Sequence, residues 1–408
     1  MKVLHITGKD YFGAGRAAYR LNKALQGIGV DSIMWVGDKK SSDDSVIQIQ
    51  KGFVNKWLKK LYVKIEKKQL KVKEPYVMFS NGQWGIKLSR LVKESGADII
   101  HLHWVNRGFI DFADLKNIEI PIVVTMHDMW HFTGGCHYTR ECLKYIDTCH
   151  SCPQLIDSNR ANISTNIQKY KKDIYENISN STFIGPSTWM KECAKNSKLL
   201  QNMKVVNIPN CIDLELFKNN NEHIDELDKC EKKKILIAAV DVLSDLNKGF
   251  RYVYEAIRSL PSDEYALVII GSNGSEQFND IDMEVFNAGY IDNDRLLINY
   301  LSSVDVVVVP SKQENLSNMI VESLACATPV VCFRIGGNDN MVEHKFNGYL
   351  AEPYESNDLA RGISWCTGNK ERLLELGING RQKVEKTFSP DNVAQEHLEL
   401  YKEMLVKQ

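Results

Sequence analysis

A chain of 408 residues with 43% hydrophobic residues is long enough for two globular domains, each with its own core. Its formal net charge of -1 gives no support to a nucleic-acid partner. The ten cysteines fit reduced core residues or metal ligands better than a disulfide framework, because the chain opens on an apolar strand and not on a charged region with a long apolar run; the expected location is the cytoplasm.

In chain order, Val3–Thr7 reads as a buried strand and Ala14–Gly27 as a helix, with Ala17, Leu21, Ala24, Leu25 and Ile28 lining one face and Gly29 as its stop. Ser32–Val36 reads as the second strand. From Lys51 to Lys73 nine lysines accompany a single Glu, with Phe53, Trp57, Leu58, Leu61 and Ile65 at helical spacing. That pattern fits a solvated helix packing its apolar stripe on the domain, or a helix lying on an anionic membrane surface. Further strands are expected at Ile99–His103, Ile122–Met126, Thr182–Gly185 and Lys204–Ile208. Strands alternating with helices predict a parallel sheet with crossover helices.

The segment Pro209-Asn210-Cys211-Ile212-Asp213, with the polar stretch that follows to Cys230, reads as a connection between domains. A second alternating series then begins, with strands at Ile235–Val240, Ala266–Ile270, Val304–Val309 and Pro329–Phe333 and helices at Gly249–Leu260 and Ser317–Ala327. None of these apolar runs approaches the roughly 20 residues that span a bilayer. The expected organisation is an α/β chain of two doubly wound, Rossmann-like domains, 1–208 and 209–385, followed by a terminal helix over 386–408 that packs on one of them. Ligands of such sheets bind at the carboxyl ends of the strands, here in a cleft shared by the two domains.

Chemistry concentrates in the second half. The run Pro310-Ser311-Lys312-Gln313-Glu314-Asn315-Leu316-Ser317-Asn318 follows a buried strand and opens a helix that carries Glu322. Backbone amides at such a helix start can meet phosphate or sugar oxygens, and Glu322, two turns along, can accept from a ribose. Around it stand Gly289-Tyr290-Ile291, the turn Thr328-Pro329-Val330-Val331 and Gly336-Gly337. In this order the motifs resemble the retaining glycosyltransferases of family 4, which have the GT-B fold, and the resemblance runs over essentially the whole chain, including Pro209 to Asp213.

The resemblance implies a metal-independent transfer of a hexose-type sugar from a UDP- or GDP-sugar to a saccharide or lipid-linked saccharide, during assembly of a surface polysaccharide at the inner face of the membrane. It places Glu314 on the donor sugar, Glu322 on the ribose, the amides of Leu316 and Ser317 with Asn318 at the pyrophosphate, and Ile291 by the base. Lys248, in Lys248-Gly249-Phe250, matches the phosphate-binding lysine. The family commonly sets an Arg several residues before it; this chain has Val240-Asp241-Val242 there. A scaffold of this fold without catalysis is the reading that departure favours.

In the first domain, Phe12-Gly13-Ala14-Gly15-Arg16 resembles the family's Gly-rich loop, with Gly13, Ala14 and Gly15 near the diphosphate and Arg16 on the acceptor side. The same letters fit a dinucleotide fingerprint with Asp38 as its ribose acid, so an NAD(P)-dependent oxidoreductase is a rival. Its turn, Gly8 to Gly13, is longer than that motif requires. His127, in Thr125-Met126-His127-Asp128, matches the cleft histidine near the reacting carbon, and Asp128 stands beside it. The retaining mechanism described for this family is front-face, with the leaving phosphate helping to deprotonate the acceptor, so catalysis would rest on positioning and electrostatics.

Finally, Cys136, Cys142, Cys149 and Cys152 form C-x5-C-x6-C-x2-C, a spacing that can close a tetrahedral structural zinc site, with reduced unliganded thiols as the alternative. His137 and His150 are spare ligands. Four thiolates leave no open position, which argues against a catalytic metal.

Overall fold

The computed structural model describes residues 1–406 apart from 75–76, 157–161, 179, 221, 242–245, 273–277 and 279. The chain divides into two compact units, Met1–Cys211 with Pro390–Gln408, and Ile212–Ser389.

The first unit is built on seven strands, β1 (Lys2–Lys9), β2 (Asp31–Asp38), β3 (Val46–Gln48), β4 (Ile99–Leu102), β5 (Ile122–Thr125), β6 (Ser181–Gly185) and β7 (Lys204–Asn207), in the order β3-β2-β1-β4-β5-β6-β7. Every neighbouring pair is parallel. Alternation along a strand sends successive side chains to opposite faces. Leu4, Ile6, Ile100, Leu102 and Val124 enter one apolar layer. Val3, Ile99 and Val123 enter another, where the helices Phe12–Gly27 and Pro390–Val406 supply Leu21, Leu25, Val393, Tyr401 and Met404. The terminal helix is thus part of the first unit.

The second unit has six strands, β8 (Lys233–Asp241), β9 (Tyr265–Ser272), β10 (Glu284–Gly289), β11 (Val306–Val309), β12 (Val330–Phe333) and β13 (Gly348–Ala351), in the order β10-β9-β8-β11-β12-β13, again all parallel. Apolar clusters cover both faces of this sheet, as its near-continuous Val and Ile runs require. With the first sheet this makes an α/β chain of two Rossmann-like units, each on a parallel sheet.

Three strands escape a reading of the sequence: β3, β10 and β13, each at an edge of its sheet. Their sequences, VIQ, EVFNAG and GYLA, lack the long apolar runs of central strands. The stretch read as a connection is also more structured than expected. Ile212, Phe217 and Leu227 are fully buried in the second unit. Arg381 fastens it there, donating to the carbonyls of Phe217 at 2.6 Å and Leu214 at 3.3 Å.

The Lys-rich segment forms the helix Phe53–Leu70. Its Glu66 carboxylate accepts from the Asn81 amide at 2.7 Å, Leu70 is buried, and the Tyr62 ring stacks on Trp84 at 5.6 Å. One side therefore packs on the unit, while Trp57 is 54% exposed. Among the described residues no helix is long and apolar enough to cross a membrane.

Candidate functional site

In the second unit the residues singled out by sequence follow the carboxyl ends of strands of its sheet: Lys248 after β8, Glu314 to Asn318 after β11 and Gly336 after β12, three adjacent strands, and Ile291 after β10. Three loops are locked together there. Lys312 donates its amide to the Asn247 carbonyl at 2.7 Å, and the Asn247 side chain donates to the Gln313 carbonyl at 2.8 Å. The Gly337 amide donates to the Glu314 carbonyl at 3.0 Å.

Two glycines permit this closeness. Gly249 (φ +66°) lies so near Pro310 that a Cβ would stand 2.0 Å from its carbonyl oxygen, and Gly336 (φ +55°) so near Glu314 that a Cβ would stand 1.9 Å from its own. At positive φ with backbone on that side, no other residue fits without moving the loop. The result brings Lys248 Nζ to 3.1 Å from Glu314 Oε2.

Behind the loops, the helix Asn318–Ala325 begins at Ser317, which makes no side-chain cap. Leu316 and Ser317 are buried, Leu316 within the apolar cluster, and Glu322 is buried at 3% exposure. Arg381 donates to the Ala325 carbonyl at 2.9 Å, placing a cation at the helix C-terminus, where the dipole favours it. Thr328 ties the following turn to the Leu301 carbonyl at 2.6 Å. Ile291 is half-buried against the same core. Val242, one of the residues standing where the family commonly has Arg, lies outside the described residues.

In the first unit the helix expected from Ala14 starts two residues earlier, at Phe12, so Gly13, Ala14, Gly15 and Arg16, likened above to a Gly-rich loop, lie in its first turns. Gly15 is buried against the Lys9 carbonyl at the end of β1, so packing accounts for it. Gly13 is exposed and Phe12 is 46% exposed. The Asp38 carboxylate accepts from the Tyr11 hydroxyl at 2.6 Å.

His127 and Asp128 follow β5. Asp128 is buried and held by three partners: His137 Nδ1 at 2.7 Å, the Trp104 indole at 3.0 Å and the Trp130 amide at 2.9 Å. Burial alone would raise its pKa, but His137 and these hydrogen bonds bring it below the usual carboxylate value. His127 is pushed down to about 4 by burial, so its ring is neutral at pH 7.

Sequence reasoning missed what lies behind His127. His5 on β1 is in register with His101 on β4, and His103 follows two residues on, so all three share one sheet face. His127 Nε2 lies 3.0 Å from His103 Nδ1, and His103 Nε2 lies 3.0 Å from His5 Nδ1. His101 bonds the Tyr401 hydroxyl and the Thr125 hydroxyl, each at 2.7 Å. The signal was present as alternation: Leu4-His5-Ile6-Thr7 and Ile100-His101-Leu102-His103 put a polar residue at every second place in buried strands.

The four cysteines line one small cavity of about 20 Å³, together with Phe79, Thr133 and Tyr145. Cys136, Cys149 and Cys152 are buried, and burial pushes the Cys149 thiol up to about 11 even though its sulfur accepts from the Gly134 amide at 3.2 Å. Beside them Lys171, fully buried, donates to the Trp130 carbonyl and has its pKa pulled down by burial to about 7. A tetrahedral zinc with Zn–S near 2.3 Å sets its sulfurs roughly 3.8 Å apart. Among the described residues the metal-ligating side chains whose donor atoms gather within 4.8 Å are His5, His101 and His103; the four thiols do not form such a group.

Each unit is a parallel α/β sheet with candidate functional side chains after the carboxyl ends of its strands, and known proteins give the chain its family. Residues 12–216 match Glycosyltransferase Family 4 and residues 219–383 match Glycosyl transferases group 1. The chain belongs to glycosyltransferase family 4. An uncharacterized 41.2 kDa protein in the cps region of Klebsiella pneumoniae is 22% identical over 74% of this chain and 79% of its own length. The lipopolysaccharide core biosynthesis glycosyltransferase LpsE of Rhizobium meliloti is 29% identical over 38% of this chain and 46% of its own. The match spans 42% and 30% of the length of two uncharacterized glycosyltransferases of Methanocaldococcus jannaschii, at 29% and 33% identity. Among solved structures, sucrose-phosphate synthase of Thermosynechococcus elongatus superposes with a TM-score of 0.70 at 17% identity, covering all of both chains. Anabaena HepE, crystallised with UDP and glucose, gives 0.65 at 16% identity over 98% of this chain and 99% of that one.

Proposed function

We propose that this chain is a retaining hexosyltransferase that moves a sugar from a UDP- or GDP-sugar to a saccharide or lipid-linked saccharide during surface-polysaccharide synthesis. The observation that carries the reading is the Lys248–Glu314 pair at 3.1 Å, on loops locked at the carboxyl ends of β8 and β11. The ammonium of Lys248 offsets the charge that gathers on the departing diphosphate, Glu314 contacts the sugar, and Glu322 accepts from the ribose. Ile291, Leu316, Ser317 and Asn318 complete the donor side.

In the transfer, the bond from the anomeric carbon to the diphosphate oxygen breaks while a bond to the acceptor oxygen forms on the same face. The acceptor proton passes to the leaving phosphate oxygen. His127 steadies the sugar near the reacting carbon, and Arg16 and Asp128 belong to the acceptor side. No metal takes part in this chemistry. The cysteine loop would have a structural role, with zinc drawing its thiols together, and the Lys-rich helix around Trp57 would meet an anionic membrane surface. The proteins in the comparisons that are named for lipopolysaccharide synthesis or crystallised with UDP and glucose support this reading.

The test is to incubate the protein with UDP- and GDP-hexoses and lipid-linked or free saccharides, with and without EDTA, and to read the anomeric configuration of the product by NMR. Retention, unaffected by EDTA, is expected. Inversion, or transfer lost with EDTA, would overturn the mechanism.

A further inference from the structure

In the first unit the strand order reverses between β1 and β4: β2 and β3 lie on one side of β1, β4 and β5 on the other. A parallel sheet binds its ligands in the crevice beyond the carboxyl ends of the strands at such a reversal. Trp104 stands there. It follows β4 by two residues, and its carbonyl accepts from the amide of Gly8, near the end of β1, at 2.7 Å. Gly8 leaves room for the ring, since a Cβ there would already stand 3.5 Å from the indole Cε3.

On the β5 side the indole is held by its N–H, which donates to Asp128 Oδ2 at 3.0 Å. The preceding residues pair in the same way, His103 with His127 at 3.0 Å. Asp128 is itself fixed. Its Oδ2 also accepts from His137 Nδ1 at 2.7 Å, its Oδ1 accepts from the Trp130 amide at 2.9 Å, and His137 Nε2 lies 3.0 Å from the Ser80 hydroxyl. The His137 ring lies beside the indole at a centroid distance of 5.8 Å. Asp128 is buried with both oxygens engaged, so it acts on a ligand through Trp104 and not directly.

Trp130 shows a purely structural tryptophan in the same unit. It is fully buried, its indole donates to the Ser80 carbonyl at 2.8 Å, and its ring meets Phe112 edge-on at 5.0 Å. Trp104 is half-buried instead, and the one polar atom of its side chain is already used. What remains to offer is the apolar body of a rigid ring. Held in one orientation and reached by solvent, such a ring matches the face of a pyranose that carries its axial C–H groups.

We propose that Trp104 is the platform on which a pyranose ring of the acceptor stacks, and that Asp128 and His137 are positioning residues that fix the plane of its indole. That the pyranose is an acceptor rests on the function proposed above; that Trp104 binds one does not. The platform stands beside His127, which the same reading sets near the reacting carbon.

The experiment uses the whole protein labelled with fluorotryptophan, in which one of the seven tryptophan signals is assigned to Trp104 by its loss in Trp104→Phe. Methyl β-D-glucopyranoside or methyl β-D-galactopyranoside should move that signal saturably, and glycerol, a polyol without a ring, should not. A Trp104 signal unmoved by both glycosides, or moved equally by glycerol, would overturn the proposal. In transfer assays with the same glycosides as acceptors, Trp104→Leu should raise the acceptor KM about tenfold, the scale of one lost aromatic contact, and leave the donor KM unchanged. Asp128→Asn, which must turn its NH2 toward one of the three donors, should raise the acceptor KM in the same direction, again without moving the donor KM; an acceptor KM unmoved there removes the positioning role. A folded Trp104→Leu that raises both KM values alike is a structural change and also contradicts the proposal. If the glycosides move Trp104 while no nucleotide sugar is transferred, the functional reading fails and the pyranose site stands; if transfer proceeds while Trp104→Leu leaves the acceptor KM unchanged, the platform fails alone.

Discussion

Lys248 Nζ and Glu314 Oε2 meet at 3.1 Å across 66 residues of sequence, each contributed by a loop that leaves the carboxyl end of a strand. The pair is partly buried, with the Glu314 side chain 12% exposed and that of Lys248 33%. A diphosphate arriving beside Lys248 brings negative charge to the same ammonium. Lys248→Met should therefore weaken UDP or GDP binding about tenfold or more, consistent with a charge-assisted contact of roughly 1.5–3 kcal/mol. Isothermal titration of both proteins checks this, and equal affinities would remove Lys248 from the donor site.

The approach of Gly336 to the Glu314 carbonyl makes a second test. Gly336→Ala would set a Cβ 1.9 Å from that oxygen at φ +55°, so the loop must move. A loss of about 1–3 kcal/mol in stability is expected from strain of this kind. Transfer should fall further than stability does, because Glu314 moves with its backbone. A variant as stable and active as the wild type would show that the loop tolerates displacement.

Acid should destabilise the protein in a defined window. His5, His127, His131 and His397 are buried, and burial lowers their pKa values to about 3, 4, 3 and 4 from 6.5. The unfolded chain binds protons at these sites below about pH 6.5, while the folded chain resists until about pH 4. Stability is thus fully present above pH 6.5 and is lost as pH falls from there through 4, by on the order of 1–2 kcal/mol per such histidine at pH 5. Urea melts at pH 7.5, 6 and 5 read this directly. Equal midpoints at pH 7.5 and 5 would contradict neutral buried rings.

As they stand the four thiols do not gather as metal ligands among the described residues; if zinc draws them together, as proposed, purified protein holds about one zinc per chain, lost in Cys149→Ser together with several degrees of Tm. Elemental analysis with thermal melts checks both. Metal-free wild type with full activity would make Cys136, Cys142, Cys149 and Cys152 ordinary core thiols.

How much was legible beforehand follows from where the signal lies. Central strands such as Val306–Val309 carry unbroken apolar runs, and Glu314, Glu322 and Thr328-Pro329 follow one of them closely, so their place after β11 could be read from sequence. The edge strands Val46–Gln48 and Gly348–Ala351 are too short to stand out. The helix read from Ala14 begins at Phe12, and Gly15 in its first turn serves close packing of helix on strand. The line from His127 through His103 to His5 joins residues about 24 and 98 positions apart, and only strand register shows that they share a face.

The most direct test of the donor site is a thermal-shift panel of UDP, GDP, ADP, CMP, NAD and NADP on the wild type and on Glu322→Ala. Stabilisation by UDP or GDP that falls sharply in the variant is the predicted result, since Glu322 is buried behind the helix start where the ribose would bind. Stabilisation by NAD or NADP alone, or a nucleoside diphosphate effect unchanged in Glu322→Ala, would contradict it.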